Sequence, residues 1–156
     1  LQSLKAFMKY YYPSIEEEQR IVKDHIMGKS QEVKPVVKLE DIIEAREVVK
    51  QVYIDDKINN YVTDLVFATR YPEKFGIDDM KQNIQYGASP RASINLALAA
   101  RTYAFIKHRG YVIPEDVRAM AHDVLRHRIG LTYEAEANNI TSDAIITEII
   151  NKVQVP

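Results

Sequence analysis

The chain has 156 residues and no cysteine, and its 21 lysines and arginines set against 22 acids leave a net charge of −1. That length holds one domain of ordinary size with a real core, and the charge balance leaves no electrostatic footprint for nucleic acid or an anionic membrane. Without cysteine there are no disulfides or thiolate metal sites, and no apolar run reaches the roughly 18 residues that a membrane-spanning helix needs.

Residues 1–12 end in Lys9-Tyr10-Tyr11-Tyr12, an aromatic stretch stopped by Pro13. With no initiator Met they read as the tail of a preceding core domain or as cloning-derived residues, so the chain is expected to be an excised piece of a longer protein. A helical domain is expected over 13–156. Ser14 and Glu17 form a capping box that starts a helix over 15–27, ended by Gly28. Residues 28–38 mix turn formers with Pro35 and read as a connector. A second helix is expected over 39–51, with Leu39, Ile42, Ile43 and Val49 on one face and Lys38 at a poorly capped start. Val52-Tyr53-Ile54 is a short β-prone stretch.

Asp55 caps a third helix, in which Ile58, Tyr61, Val62, Leu65 and Val66 form a stripe at helical spacing; it should end before Pro72. Residues 71–85 read as a long loop with at most one helical turn. The fourth helix, over 90–108, is apolar on most of its circumference and carries five alanines after Arg91, as expected of the centre of a bundle. Lys107, His108 and Arg109 suit its C-terminal dipole, with Gly110 as the residue after the cap. Tyr111-Val112 could pair with Val52-Tyr53. A fifth helix starts at Pro114, behind Ile113 at the cap position, and turns Val117, Met120, Ala121, Val124 and Leu125 inward. A final helix starts near Thr141 with Ile145, Ile146, Ile149 and Ile150 inward. The expected fold class is all-α, a helical bundle with a minimal two-stranded β element at most.

Several suggestive patterns carry no chemistry. Gly28-Lys29-Ser30 looks like the tail of a phosphate-binding loop, but Lys23 stands where that motif needs its first glycine, and the segment follows a helix instead of a strand. His25, His108, His122 and His127 show no metal-binding spacing, so no metal site is expected. Glu16-Glu17-Glu18 lies in a first helical turn, where carboxylates suit the dipole.

One pattern does point to function. Tyr86-Gly87-Ala88-Ser89-Pro90-Arg91 opens the fourth helix, with Gly87 for backbone freedom, Ser89 as N-cap and Pro90 at the first helical position. Arg91 then puts a cation where the helix dipole disfavours it by about 0.3–1 kcal/mol. An anion such as a phosphate between the helix end and the guanidinium would explain the placement; an arginine merely held off by water is the alternative. Arg126-His127-Arg128 places two further cations near a helix C-terminus, where dipole compensation accounts for one.

The hexapeptide continues into Ala92-Ser93-Ile94-Asn95-Leu96-Ala97-Leu98-Ala99-Ala100-Arg101, then Arg109-Gly110-Tyr111-Val112, Pro114-Glu115-Asp116-Val117 and Val124-Leu125-Arg126-His127-Arg128. In that order and spacing the series resembles the C-terminal lid subdomain of MoxR-type AAA+ ATPases, densely over 86–128 and more loosely at Tyr12-Pro13-Ser14-Ile15-Glu16-Glu17-Glu18, at Ala68-Thr69-Arg70 and in the tail. The resemblance implies that Arg91 is the sensor-2 residue reaching the nucleotide phosphates, with Gly87, Ser89 and Pro90 beside it, and that Arg126 and Arg128 are candidate inter-subunit contacts. It implies ATP and Mg²⁺ as ligands of the parent protein and none for this piece alone, which has no phosphate-binding loop or magnesium carboxylate of its own. It also implies a cytoplasmic ring in which the lid contacts its own core domain and neighbouring subunits. The ring would remodel partner complexes, often with von Willebrand factor A-domain proteins. The family's Asp-Arg-Phe triplet is not reproduced at Gln2-Ser3-Leu4, so no arginine finger carries over. The rival reading is a stand-alone interaction domain in which Arg91 binds a partner's carboxylate.

Overall fold

The computed structural model describes residues 12–28 and 34–156. The expectations for Lys9, Tyr10 and Tyr11 and for Lys29-Ser30 lie outside the described residues. The chain divides into two compact units, 1–43 and 44–156.

In the first unit, α1 (Ile15–Ile26) starts as its sequence requires: the Ser14 hydroxyl accepts from the Glu17 N–H at 3.3 Å, and the Ser14 N–H donates to the Glu17 carboxylate at 2.8 Å. Gly28 ends it in the left-handed region at φ 64°. α1 buries no residue. Helix α2 covers Leu39–Gln51. Lys38 supplies no side-chain cap, but its N–H donates to the Asp41 carboxylate at 2.9 Å, the reverse half of a capping box. The apolar face read from the sequence is present but stays open, with Leu39, Ile42 and Ile43 exposed.

The core lies in the second unit. Asp55 accepts from the Lys57 N–H to cap α3 (Asp56–Ala68), and the whole stripe Ile58, Tyr61, Val62, Leu65 and Val66 is buried. Segment 71–85 is more ordered than a loop. It forms two short 3₁₀ helices, Pro72–Phe75 and Asp78–Asn83, and leads into strand β1 (Ile84–Tyr86). The strand pairs antiparallel with β2 (Gly130–Leu131), Ile84 opposite Leu131 and Tyr86 opposite Gly130. This two-stranded sheet therefore lies elsewhere than expected, because Tyr53 and Tyr111 form only a single parallel bridge, closed by Tyr53 N–H to Gly110 and Val112 N–H to Tyr53.

Helix α4 (Pro90–Ile106) ends two residues earlier than expected, and His108 takes the left-handed conformation (φ 57°) instead of Gly110. It packs against α3 and against α5 (Pro114–Leu125) through small residues. Ala92, Leu96, Ala100 and Ala104 are fully buried at every fourth position, whereas Ile94, Leu98 and Ile106 are exposed. The alanine stripe allows close approach on one side only, so α4 is a flanked helix instead of one buried all round.

A bidentate ion pair missed in the sequence holds the α4–α5 corner. The Arg109 guanidinium grips both oxygens of Asp116, which is buried, and Asp116 also accepts from the Ile113 N–H at 2.9 Å. That bond is the reciprocal half of a capping box, whose hydroxyl half Ile113 cannot give. Short α6 (Tyr133–Ala137) starts at Thr132, whose hydroxyl accepts from the Ala135 N–H. α7 (Ser142–Lys152) starts at Thr141, whose hydroxyl accepts from Ala144, and it buries Ile145, Ile146, Ile149 and Ile150 as expected. Among the described residues the architecture is all-α with one minimal sheet. No helix among the described residues is long and apolar enough to cross a membrane.

Candidate functional site

The turn 86–91 joins β1 to α4, and its geometry is set from below by the end of α3. Thr69 follows the last residue of α3 and is fully buried. Its hydroxyl donates to the Val66 carbonyl at 2.6 Å and accepts from the Ala88 N–H at 2.9 Å. Ala88 is itself fully buried. Gly87 does not use a positive φ, so conformational freedom is not the reason for a glycine here. Space is the reason: a Cβ would stand 2.6 Å from the Thr69 carbonyl carbon and 2.7 Å from Arg70 Cγ. Two main chains meet there at a distance that only glycine permits.

Ser89 occupies the N-cap position in extended conformation (φ −74°, ψ 166°), but its side chain makes no cap hydrogen bond. Its carbonyl accepts from the Ala92 N–H at 2.8 Å, and Pro90 opens the helix as expected. Arg91 follows, exposed, with no hydrogen bond or ion pair among the described residues. The first turn of α4 contains no acid, whereas α1, α2, α3, α5, α6 and α7 all carry one there. Pro90 has no N–H and the Ala92 N–H is taken by Ser89, so at a helix start without a side-chain cap the Arg91 N–H and guanidinium are left to meet an anion.

A cleft of about 340 Å³ opens beside this turn, with Arg70, Tyr71, Lys81, Tyr86 and Gly87 in its wall. The Arg70 guanidinium lies 4.3 Å from the centre of the Phe67 ring, and Lys81 reaches Glu73 at 3.6 Å. The approach of Arg70 and Lys81 to the turn is not legible in the sequence, where Arg70 enters only through the resemblance at Ala68-Thr69-Arg70 and Lys81 falls in the segment 71–85 read as a loop.

Arg126 and Arg128 are engaged within the unit. Arg126 Nε lies 2.8 Å from both Asp143 oxygens, tying the end of α5 to the first turn of α7, and its other arm reaches Asp123 at 3.4 Å. Arg128 Nε donates to the Val124 carbonyl at 3.0 Å. His122 Nε2 meets the Thr147 hydroxyl at 3.0 Å, which joins the same two helices. Among the described residues no group of three or more His, Asp or Glu side chains is gathered to hold a metal ion.

Residues 78–149 match the family described as the AAA lid domain. Over 146 residues the chain is 39% identical to Chaperone MoxR1 of Mycobacterium tuberculosis, covering 93% of this chain and 38% of that protein. It is 37% identical over 148 residues to the uncharacterized protein YeaC of Bacillus subtilis, covering 93% of this chain and 43% of YeaC. A crystal structure of a protein assigned as an ATPase, from Cytophaga hutchinsonii, superposes with a TM-score of 0.87 at 38% identity, over 94% of this chain and 45% of that one. The chain thus spans less than half the length of each of these relatives. On these matches the chain carries an AAA lid domain and belongs to the MoxR-type AAA+ family.

Proposed function

We propose that this chain is the nucleotide-sensing lid of a ring-forming, chaperone-like ATPase. Arg91 is its sensor-2 residue, and Gly87, Ser89 and Pro90 shape the helix start that meets the phosphates. The observation that carries the reading is the first turn of α4, where an exposed arginine, unpaired among the described residues, stands with no acid and no side-chain cap. A terminal phosphate placed there would accept from the Arg91 N–H and from its guanidinium together. ATP would lie between this lid and a core domain that supplies the phosphate-binding loop and the magnesium ligands.

The chemistry asked of this chain is electrostatic. Arg91 would stabilise charge that develops on the transferred phosphoryl group, and loss of that contact after hydrolysis would let the lid change its angle to the core. Rigid coupling of α3, α4 and α5 through their buried face would pass the motion on as a body. In a ring the neighbouring subunit would feel it, and the client complex would be remodelled. Partners of the von Willebrand factor A-domain type and a cytoplasmic location rest on the family resemblance. Replacing Arg91 by Ala in a full-length ATPase carrying this lid is the test: hydrolysis should fall while the fold of the lid persists. Unchanged hydrolysis would favour the rival reading, a partner carboxylate at Arg91.

A further inference from the structure

We propose that Thr69 is a positioning residue for Arg91, acting through the Ala88 amide; the inference rests on the sensor reading above. Thr69 and Ala88 are 19 residues apart, and their hydrogen bond is a buried side-chain tie between the end of α3 and the approach to α4. Other threonines of these helices do something simpler. Thr63 and Thr102 donate to the carbonyl four residues back, at 2.9 Å each, from exposed positions. Thr69 uses its hydrogen for the Val66 carbonyl in a similar way, which frees its lone pairs to accept from Ala88. The hydroxyl is thus held in one orientation before it receives the amide.

The tie has leverage because, among the described residues, no other side-chain hydrogen bond holds the start of α4. Ser89 makes no side-chain cap, so locally the first turn of α4 rests on Pro90 and on the main-chain bond from the Ala92 N–H to the Ser89 carbonyl. Ala88 is three residues before Arg91, and the contact of Gly87 with the Thr69 backbone sets the depth of the chain at that point. On the far side the approach is anchored by β1 on β2 and by the Thr132 hydroxyl, which donates to the Gln82 carbonyl at 2.9 Å. The sheet fixes where the strand arrives, and Thr69 fixes where it turns. Loss of the hydroxyl would leave the Ala88 N–H buried without an acceptor and release the turn, so the direction in which Arg91 projects would no longer be set.

The experiment is a set of variants in a full-length MoxR-type ATPase carrying this lid: Thr69→Val, Thr69→Ser, Thr69→Cys, Arg91→Ala and the double variant Thr69→Val/Arg91→Ala. Steady-state ATP hydrolysis is measured with Mg²⁺–ATP. Displacing a phosphate-contacting group by about 1 Å costs on the order of a hundredfold in rate, so Thr69→Val should lower kcat by about tenfold to a hundredfold with a smaller change in KM. Thr69→Ser keeps the hydroxyl and should stay within about threefold of the parent, since the bridging hydrogen bonds survive. In the Arg91→Ala background Thr69→Val should add less than about twofold, because residues acting as a unit are not additive. If Thr69→Val melts below the assay temperature, the weak hydrogen-bonding thiol of Thr69→Cys supplies the graded version, and its rate should lie between those of parent and Arg91→Ala. Loss of rate on Arg91→Ala with none on Thr69→Val, or Cys, overturns the positioning role and leaves the sensor reading standing. Effects that multiply in the double variant show a structural role unrelated to Arg91 and overturn it as well. No loss on Arg91→Ala overturns both.

Discussion

Replacing Arg109 by Met should destabilise the chain by about 3 kcal/mol, because it strands a buried carboxylate. Asp116 is 1% exposed and has three donors: two from the Arg109 fork and one from the Ile113 N–H at 2.9 Å. Breaking a buried pair from the cationic side costs roughly 3–5 kcal/mol, since the remaining charge keeps its desolvation penalty and loses its partner. The Arg109 side chain is 24% exposed, so water can enter the vacated space and the lower end of that range applies. Asp116→Asn is gentler. Its amide oxygen can still accept from Ile113, and the orphaned guanidinium can turn to solvent, for a loss of about 1.5 kcal/mol in charge-assisted bonding. The double variant Arg109→Met/Asp116→Asn should lose less than the sum of the singles, because no buried charge remains. Urea titrations followed by far-ultraviolet circular dichroism read these differences as midpoint shifts at constant slope. The single Arg109→Met should also lower the melting temperature by about 6–12 °C for a chain of this size. A cost below about 1 kcal/mol for Arg109→Met, or an Asp116→Asn variant that is the weaker of the two, would show that the pair behaves as an exposed surface ion pair and that the corner is held otherwise.

Gly87→Ala should cost about 1–3 kcal/mol, because the new methyl meets the Thr69 backbone, while Gly130→Ala should cost under about 1 kcal/mol, because it meets only the exposed Tyr86 ring, which can swing away. Parallel thermal melts decide it, and a larger loss at Gly130 would refute the reasoning. Tyr61→Phe should stabilise by about 1 kcal/mol, since the Tyr61 hydroxyl is buried without a partner among the described residues. Burial pushes the Tyr61 phenol pKa up, with the charge of Arg118 opposing and that of Glu115 assisting. From about pH 10 upward the unfolded chain therefore ionises first and binds fewer protons, so stability falls with pH there and Phe removes that fall. Urea midpoints near neutrality and above pH 10 test both parts; a destabilised Phe variant would mean that the hydroxyl has a partner.

Local signals carried most of the helices. Ser14 with Glu17, Asp55 and Thr141 each placed a helix start to within a residue, because a cap acts on donors two or three positions away. The stripe from Ile58 to Val66 was legible for the same reason. Pairings that depend on distant chain were not. β1 finds β2 across more than 40 residues, and nothing in the short stretch Ile84–Tyr86 distinguishes a strand from a loop. Asp116 stands in a first helical turn, where an acid is unremarkable, and Arg109 reads as a dipole partner; only the fold brings them together as a buried pair. Amphipathic pattern also overstated burial. Leu39, Ile42 and Ile43 on α2, and Ile94 and Leu98 on α4, lie on helical faces that stay exposed, since a stripe states which side is apolar and not what covers it.

At the candidate site, Arg91 was legible as a local anomaly, a cation against a helix dipole. The reason for Gly87 was not, because it lies in the main chain of Thr69. Thr69 carried one signal, a small hydroxyl just after the last apolar residue of α3. Its partner could not be named without the fold.

The most direct test of the account is Arg91→Ala in a full-length ATPase carrying this lid, with hydrolysis and the melting temperature of the lid measured side by side. Arg91 is exposed, unpaired among the described residues and opposed to its helix dipole, so the fold should lose less than about 0.5 kcal/mol or gain slightly. Removing a contact to developing phosphoryl charge should raise the barrier by on the order of 2–4 kcal/mol, roughly 30- to 1,000-fold in rate. A slow enzyme with an unshifted melting temperature is the result predicted. Full hydrolysis together with a clearly lowered melting temperature would contradict it, and Arg91 would then be a residue of the fold and not of the nucleotide.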